Sequence, residues 1–289
     1  MSFSIPKPYV LKLEMTRGCN LSCDFCPIST EEPQRNFASL DLIREVVEQY
    51  RTFKPKTRIE LAQRGEPTLN PNILTAVSVM RKELPEAKIV LFTNGVKFFK
   101  EPELIDRLLS AGVNQLCIDC YNNTYERFKA IAQAHTDALV IDFKDTHVYR
   151  YDNPWGLREV VLVDDVANQS IQVRGWHNFA GAATEVLKKN YGHSPTLPLD
   201  RGCARPFREF TIFYDGTVPF CCHDWNAKDV FWKFPEMSLE ELWNDERRVK
   251  MLQRVYMKDR NFDPCLTCDY HGGYRLGLLP SPFLAEVAN

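Results

Sequence analysis

The chain of 289 residues has no surplus of charge of either sign: 36 lysines and arginines stand against 38 aspartates and glutamates, for a formal net charge of −2. Without a broad basic field there is nothing to hold a phosphate backbone, so a nucleic-acid partner is not expected. No apolar run is long enough to span a bilayer, which excludes a membrane protein of the helical kind. The start, Met1-Ser2-Phe3-Ser4-Ile5-Pro6-Lys7, lacks the charged opening and apolar stretch of a signal peptide, so the expected location is the cytoplasm. There is no internal repeat, low-complexity segment or long run of like charge, which excludes a solenoid or a charged tail. Only Met1 to Tyr9 precede the first expected strand, leaving no room there for a leader-peptide-binding domain.

Cysteine, by contrast, is plentiful. Ten cysteines in a reducing compartment argue for metal binding or catalysis rather than disulfides. Three of them, Cys19, Cys23 and Cys26, lie in a loop-like stretch with Gly18, Asn20, Ser22 and Asp24. Thiolates this close in sequence can converge on one inorganic centre and still leave it a coordination short. A closed zinc site wants four protein ligands, whereas a cubane iron–sulfur cluster held by three cysteines keeps one iron free for a substrate or cofactor. Zinc with a fourth ligand from elsewhere remains compatible with the spacing, as does simple burial of small apolar thiols.

Around this loop the chain alternates strands with helices. Tyr9 to Glu14, Arg58 to Ala62, Lys88 to Phe92 and Asn114 to Asp119 read as strands. The helices between them are signalled by Ser39 as a cap, Asn70 as a cap with Pro71 at the first helical position, Pro102 with Gly112 as a stop, and an Asn123–Glu126 capping pair. Ala138 to Ile141 and Ser170 to Val173 read as two last strands, flanking an irregular aromatic insertion over Thr146 to Pro154. Parallel crossovers of this kind imply a barrel or open parallel sheet, with sites at the C-terminal strand ends. Cys117 and Cys120 do not share a metal, because residues an odd number apart on a strand face opposite ways; Asp119 shares the face of Cys117 and aims toward the barrel mouth. Arg174, at the end of the presumed sixth strand, is positioned to hold a carboxylate or substrate oxygen, or else to form a surface ion pair.

The C-x3-C-x2-C spacing, with Phe25 before the last cysteine, resembles the signature of the radical S-adenosylmethionine (SAM) superfamily. In that family a four-iron cluster chelates S-adenosylmethionine and cleaves it to a 5'-deoxyadenosyl radical that takes a hydrogen atom from the substrate. The resemblance implies that Cys19, Cys23 and Cys26 ligate the cluster and that Phe25 neighbours the adenine. Gly65-Glu66-Pro67, after the second strand, is similar to the family's GGE motif, with Arg64 where the first glycine is usual, and implies backbone contact to the cofactor's amino group. Asn94, after the third strand, implies a polar contact to its ribose or methionine part.

Beyond a linker at Pro195 to Pro198, four cysteines recur: Cys203, Cys221, Cys265 and Cys268. Phe210 to Phe220 reads as a hairpin around Asp215-Gly216 that brings the first two together, and Ser238 with Glu241 caps one long amphipathic helix. Four thiolates also suit a zinc ribbon. The order of these features resembles the Twitch domain, a shortened SPASM domain, and implies a second, fully protein-ligated four-iron cluster. The expected architecture is therefore α/β, a partial (β/α)6 barrel over residues 1–195 with a small C-terminal α+β Twitch domain over 196–289. The resemblance further implies two 4Fe-4S clusters and S-adenosyl-L-methionine as cofactors, and an electron donor such as a flavodoxin or ferredoxin. The substrate it implies is a small polyhydroxylated sugar or aminocyclitol-like molecule, the auxiliary cluster accepting an electron; the alternative is a peptide- or protein-modifying epimerase or maturase. Cys222 points opposite to Cys221 on an extended stretch, so it either faces a substrate cavity as a hydrogen-atom donor or is a buried packing residue.

Overall fold

A computed structural model of the chain describes residues 5–143, 158–163, 177–228 and 232–271. Its spine is a sheet of seven parallel strands in the order β7-β8-β6-β5-β4-β1-β9. These are β1 (Val10–Leu13), β4 (Arg58–Leu61), β5 (Lys88–Thr93), β6 (Gln115–Asp119), β7 (Leu139–Phe143), β8 (Glu159–Val163) and β9 (Glu209–Ile212). A two-stranded pair, β2 (Thr16–Arg17) and β3 (Asn36–Phe37), braces the cysteine loop. The first six strands of the large sheet form the partial barrel expected of the α/β reading.

Alternation along each strand divides the two faces. Leu11, Leu13, Ile59, Leu61, Ile89, Leu91, Leu116 and Ile118 face the helices and build the main core. The other face, toward the barrel interior, carries a small apolar cluster of Val90, Cys117, Val161 and Val163. Beside it runs an ionic chain in which Lys12 meets Glu60 at 2.6 Å and Arg58 meets Glu60 at 2.7 Å. Cys117 and Cys120 indeed belong to opposite faces, one in each core.

The helices are α1 (Leu40–Phe53), α2 (Ile73–Glu83), α3 (Leu104–Ala111), α4 (Tyr125–His135), α5 (Thr184–Tyr191), α6 (Arg205–Arg208), α7 (Leu239–Asn244) and α8 (Glu246–Tyr256). Ser39 caps α1 and Gly112 closes α3, as expected. Other signals resolve differently. The regular turns of α2 start at Ile73, two residues later than expected, and Asn70 does two jobs: its Oδ1 caps Asn72 N while its amide donates to the carbonyls of Met15 and Ala38. The Asn123–Glu126 capping pair does not form; Asn123 takes φ of 59° and α4 starts after Thr124 without a side-chain cap. The expected single long helix is two, because Asp245 leaves the helical region and its carboxylate caps α8 through the N–H groups of Arg247 and Arg248.

One strand was missed and one reading is corrected. The inner place next to β6 is taken by Glu159–Val163, a run the sequence reading passed over, while Ser170 to Val173 lies outside the described residues. The Phe210 to Phe220 hairpin is not a hairpin: β9 pairs in parallel with β1, Val10 opposite Glu209, and Val218 turns away to pair with Trp232. A tight turn at Asp215-Gly216 exists, with Phe213 N donating to Thr217 O, but long-range pairing to the barrel edge outcompetes the local partner.

Candidate active site

The C-terminal ends of β1, β4, β5 and β6 converge on a cavity of about 240 Å³. Cys19, Cys23 and Cys26 form one wall. The loop that carries them is held by its own hydrogen bonds: Cys26 N donates to Cys23 O, Leu21 N to the Cys19 sulfur, and Ser29 Oγ to Cys26 O. Burial pushes the three thiols up, Cys23 to about 11 and Cys26 to about 12, and each of these two is raised further by the other sulfurs nearby. A bound metal centre would displace those protons and neutralise the crowded thiolates. Among the described residues no three His, Cys, Asp or Glu side chains close on a single-ion point. All ten cysteines are free thiols. Three thiols on an open cavity, with no fourth side chain among the described residues completing the shell, form the donor set that suits a site-differentiated cluster.

Gly65 reaches the cysteine loop by backbone alone. Gly18 N donates to Arg64 O and Glu66 N to Gly18 O at 3.0 Å, so the two loops cross as a short parallel bridge. A Cβ on Gly65 would stand 2.3 Å from Thr16 O and 2.4 Å from Gly18 O, both backbone atoms that cannot step aside. Arg64 replaces the expected glycine without conflict, because the positive φ at this turn falls on Gln63, at 100°.

Glu66 is buried and its carboxylate is used within the protein. Oε1 accepts from Thr68 N, Thr68 Oγ1 and Thr93 Oγ1, and Oε2 from Asn94 N at 2.8 Å. It stitches the β4 loop to the β5 loop and leaves only its backbone for a cofactor; burial raises its pKa, against those hydrogen bonds. Asn94 is turned onto the cysteine loop, donating to Asn20 Oδ1 at 2.8 Å and to the Cys19 sulfur at 3.5 Å. Phe25 lines the cavity with its ring centroid 5.9 Å from that of Tyr121, and Asp119 lines the same cavity, at the strand end where its position predicted it.

The second cysteine set lies in the C-terminal part of the chain, with Cys268 and Cys203 packed against Ala180 and Tyr270. Cys221, Cys265 and Cys268 are buried and Cys203 half-buried; burial raises all four thiols, Cys268 to about 11, and sulfurs of the same set raise Cys221, Cys265 and Cys268 further. The buried Arg260 laces the arms that carry them, donating to the carbonyls of Arg201, Gly202 and Tyr270. Four thiols, none of them exposed, are the number that a fully protein-ligated centre needs.

Cys222 is directed away from that set, accepting from Arg205 Nη1 at 3.4 Å beside Glu209, which Lys12 approaches at 3.7 Å. Burial, and then the Glu209 carboxylate, pushes it up to about 12. It is not among the residues lining the cavity. Arg174 lies outside the described residues. What sequence reasoning missed is the interior charge of Lys12, Arg58, Glu60 and Glu209, and Trp225 on the cavity wall. The charges had a signal, a charged residue at every second place of otherwise apolar strands; Trp225 had none.

Comparison with known proteins agrees with this geometry. A family model described as the Radical SAM superfamily matches residues 13–146, and one described as an iron–sulfur cluster-binding domain, SPASM, matches residues 203–269. The chain is 21% identical over 264 residues to the S-adenosyl-L-methionine-dependent 2-deoxy-scyllo-inosamine dehydrogenase of Niallia circulans, covering 90% of this chain and 92% of that protein. It is 25% identical over 251 residues to GTP 3',8-cyclase 1 of Mycobacterium tuberculosis, covering 73% and 68%. The crystal structure of BtrN in complex with AdoMet and 2-DOIA superposes with a TM-score of 0.71 at 18% identity, covering 93% of this chain and 95% of that one.

Proposed function

Because this chain belongs to the radical SAM superfamily and carries an iron–sulfur cluster-binding domain behind its barrel, we propose that it is a dehydrogenase of a small polyhydroxylated, aminocyclitol-like substrate. The observation that carries this reading is the composition of one cavity. Its walls combine three thiols, the backbone of Gly65, the polar Asp119 and Tyr121, and Trp225 from the C-terminal module. The likeness along the whole chain to 2-deoxy-scyllo-inosamine dehydrogenase supports the substrate class.

Cys19, Cys23 and Cys26 would hold a cluster that, with S-adenosylmethionine, would supply one-electron removal of a hydrogen atom from carbon, and Cys203, Cys221, Cys265 and Cys268 would hold a second cluster able to take up the remaining electron. The protein's own part is placement. Asn94 and the Gly18–Gly65 bridge hold the cysteine loop against the strand ends. Phe25 and Trp225 narrow the cavity and exclude water, which protects a reactive intermediate. Asp119 offers a carboxylate to the substrate's hydroxyl and takes the proton that must leave when a carbinol becomes a carbonyl. Arg174 is assigned to a substrate oxygen, and Cys222 to the network of Arg205, Glu209 and Lys12 at the inner face.

The test is anaerobic reconstitution followed by reaction with S-adenosylmethionine, a strong reductant and 2-deoxy-scyllo-inosamine or related aminocyclitols. Two four-iron clusters per chain and one 5'-deoxyadenosine per ketone formed are expected. One cluster plus one zinc, or no oxidation of any cyclitol while a peptide is modified, would overturn the reading.

A further inference from the structure

The strongest unassigned feature is the ion pair that joins the C-terminal module to the cofactor loops. Glu14, the residue that follows β1, has a side chain with no solvent exposure, and Arg64 lies at the tip of the β4 loop with 11% exposure. Their contact is two-pronged: Arg64 Nε donates to Glu14 Oε1 at 2.7 Å and Nη2 to Oε2 at 2.8 Å. Two backbone groups reinforce it, Arg64 N on Oε1 and Tyr214 N on Oε2 at 3.0 Å. A bidentate guanidinium–carboxylate pair is directional as well as strong, so it fixes orientation and not only distance.

The remaining face of the same guanidinium belongs to the C-terminal module. Its carbon lies 3.4 Å from the centroid of the Phe213 ring, and Nη1 donates to Trp225 O at 2.9 Å. Trp225 in turn donates its indole N–H to Glu31 Oε1 at 2.5 Å and has the Arg17 guanidinium 5.4 Å from its ring. Arg17 and Glu31 pair with each other, and Arg17 also reaches Arg64 O. Trp225 is thus held from two sides by residues that flank the three cysteines, and it lines their cavity.

We propose that the Glu14–Arg64 pair is a positioning latch that fixes Trp225 of the C-terminal module as a wall of the cysteine cavity. Arg64 occupies the place where the GGE motif carries glycine, and a glycine there could make none of these side-chain contacts. The substitution converts a loop that elsewhere serves the cofactor by backbone alone into one that also sets the register of the second module. The latch rests on the assignment of that cavity to the cofactor, yet its structural part is separable from it.

Three variants test it: Arg64→Gly, Arg64→Lys and, as a conservative partner change, Glu14→Gln. In hydrogen exchange on the full chain, loss of the latch raises exchange at least tenfold in peptides spanning 213–214 and 222–228, while peptides from α2 and α3 are unchanged. In the reconstituted enzyme, Arg64→Lys binds S-adenosylmethionine within about threefold of the parent but forms several-fold more 5'-deoxyadenosine per product, because the wall facing the substrate is loose. The exchange readout needs no loaded cofactor, so its success with failed catalysis would indict the functional assignment and not the latch. Unchanged exchange over 213–228 in folded Arg64→Lys and Glu14→Gln proteins, or a change spread evenly over the barrel, would overturn the proposal.

Discussion

Gly65 shows how little a side chain has to do at this site. The nearest atoms to a Cβ there are backbone oxygens at 2.3 and 2.4 Å, so Gly65→Ala separates the β4 loop from the cysteine loop instead of merely straining it. We expect a folded protein whose affinity for S-adenosylmethionine falls at least tenfold, about 1.4 kcal/mol, measured by equilibrium dialysis on reconstituted enzyme; unchanged affinity would remove the bridge from the cofactor site. Cys222 belongs to this scale too. Held by Arg205 and kept protonated by burial, it sits outside the cavity wall. In deuterium oxide, parent and Cys222→Ala enzymes should therefore both yield oxidised product without deuterium at carbon. Label appearing only when the thiol is present would make the reaction an epimerisation.

At the level of elements, β9 and the helix α5 tie the two cysteine sets to each other. β9 adds to the barrel edge beside β1, the strand that delivers the first set. From α5, Tyr191 donates to Asp24 Oδ1 at 2.6 Å and Asn190 to Asp24 O at 2.7 Å, a strap across the loop between Cys23 and Cys26. The short turn Cys265–Thr267 is farther from the cavity, packed against the 178–181 segment through Thr267 Oγ1 on Ala180 O. Losing a thiol there should not disturb the first set. Cys265→Ala is expected to keep cleaving S-adenosylmethionine under reductant while forming little product, read by chromatography of both compounds. Equal loss of both in a protein with native circular dichroism would contradict that division of labour.

The whole molecule depends on charge placed inside the barrel. Burial alone would raise the Glu60 carboxyl, but Lys12 and Arg58 within 2.7 Å hold it at about 2, below its ordinary 4.5. A depressed folded value means that its contribution is complete above pH 4.5 and disappears as the pH falls toward 2. At about 1.4 kcal/mol per unit that is up to roughly 3 kcal/mol. Urea unfolding of the cluster-free protein should show a steeper loss of stability from pH 5 to pH 2.5 for the parent than for Glu60→Gln, although the variant starts lower because Lys12 loses the nearer of its two carboxylates. Parallel acid limbs in the two proteins would show that Glu60 is not the group responsible.

The parts legible in the sequence were those with local causes. The strand–helix alternation, the caps at Ser39 and Gly112 and the opposite faces of Cys117 and Cys120 all follow from spacing, because periodicity and turn chemistry act within a few residues. Only the tertiary structure decided the rest. Asn70 became a brace as well as a cap to Asn72 N, because Met15 and Ala38, distant in sequence, offered buried carbonyls to its amide. Phe210 to Ile212 left its own turn for β1, because a barrel edge offers a full ladder of partners where a short hairpin offers few. Arg64 took a glycine's place because Glu14, Phe213 and Trp225, from three separate segments, together surround its guanidinium with charge, ring and carbonyl that no stretch of sequence displays side by side.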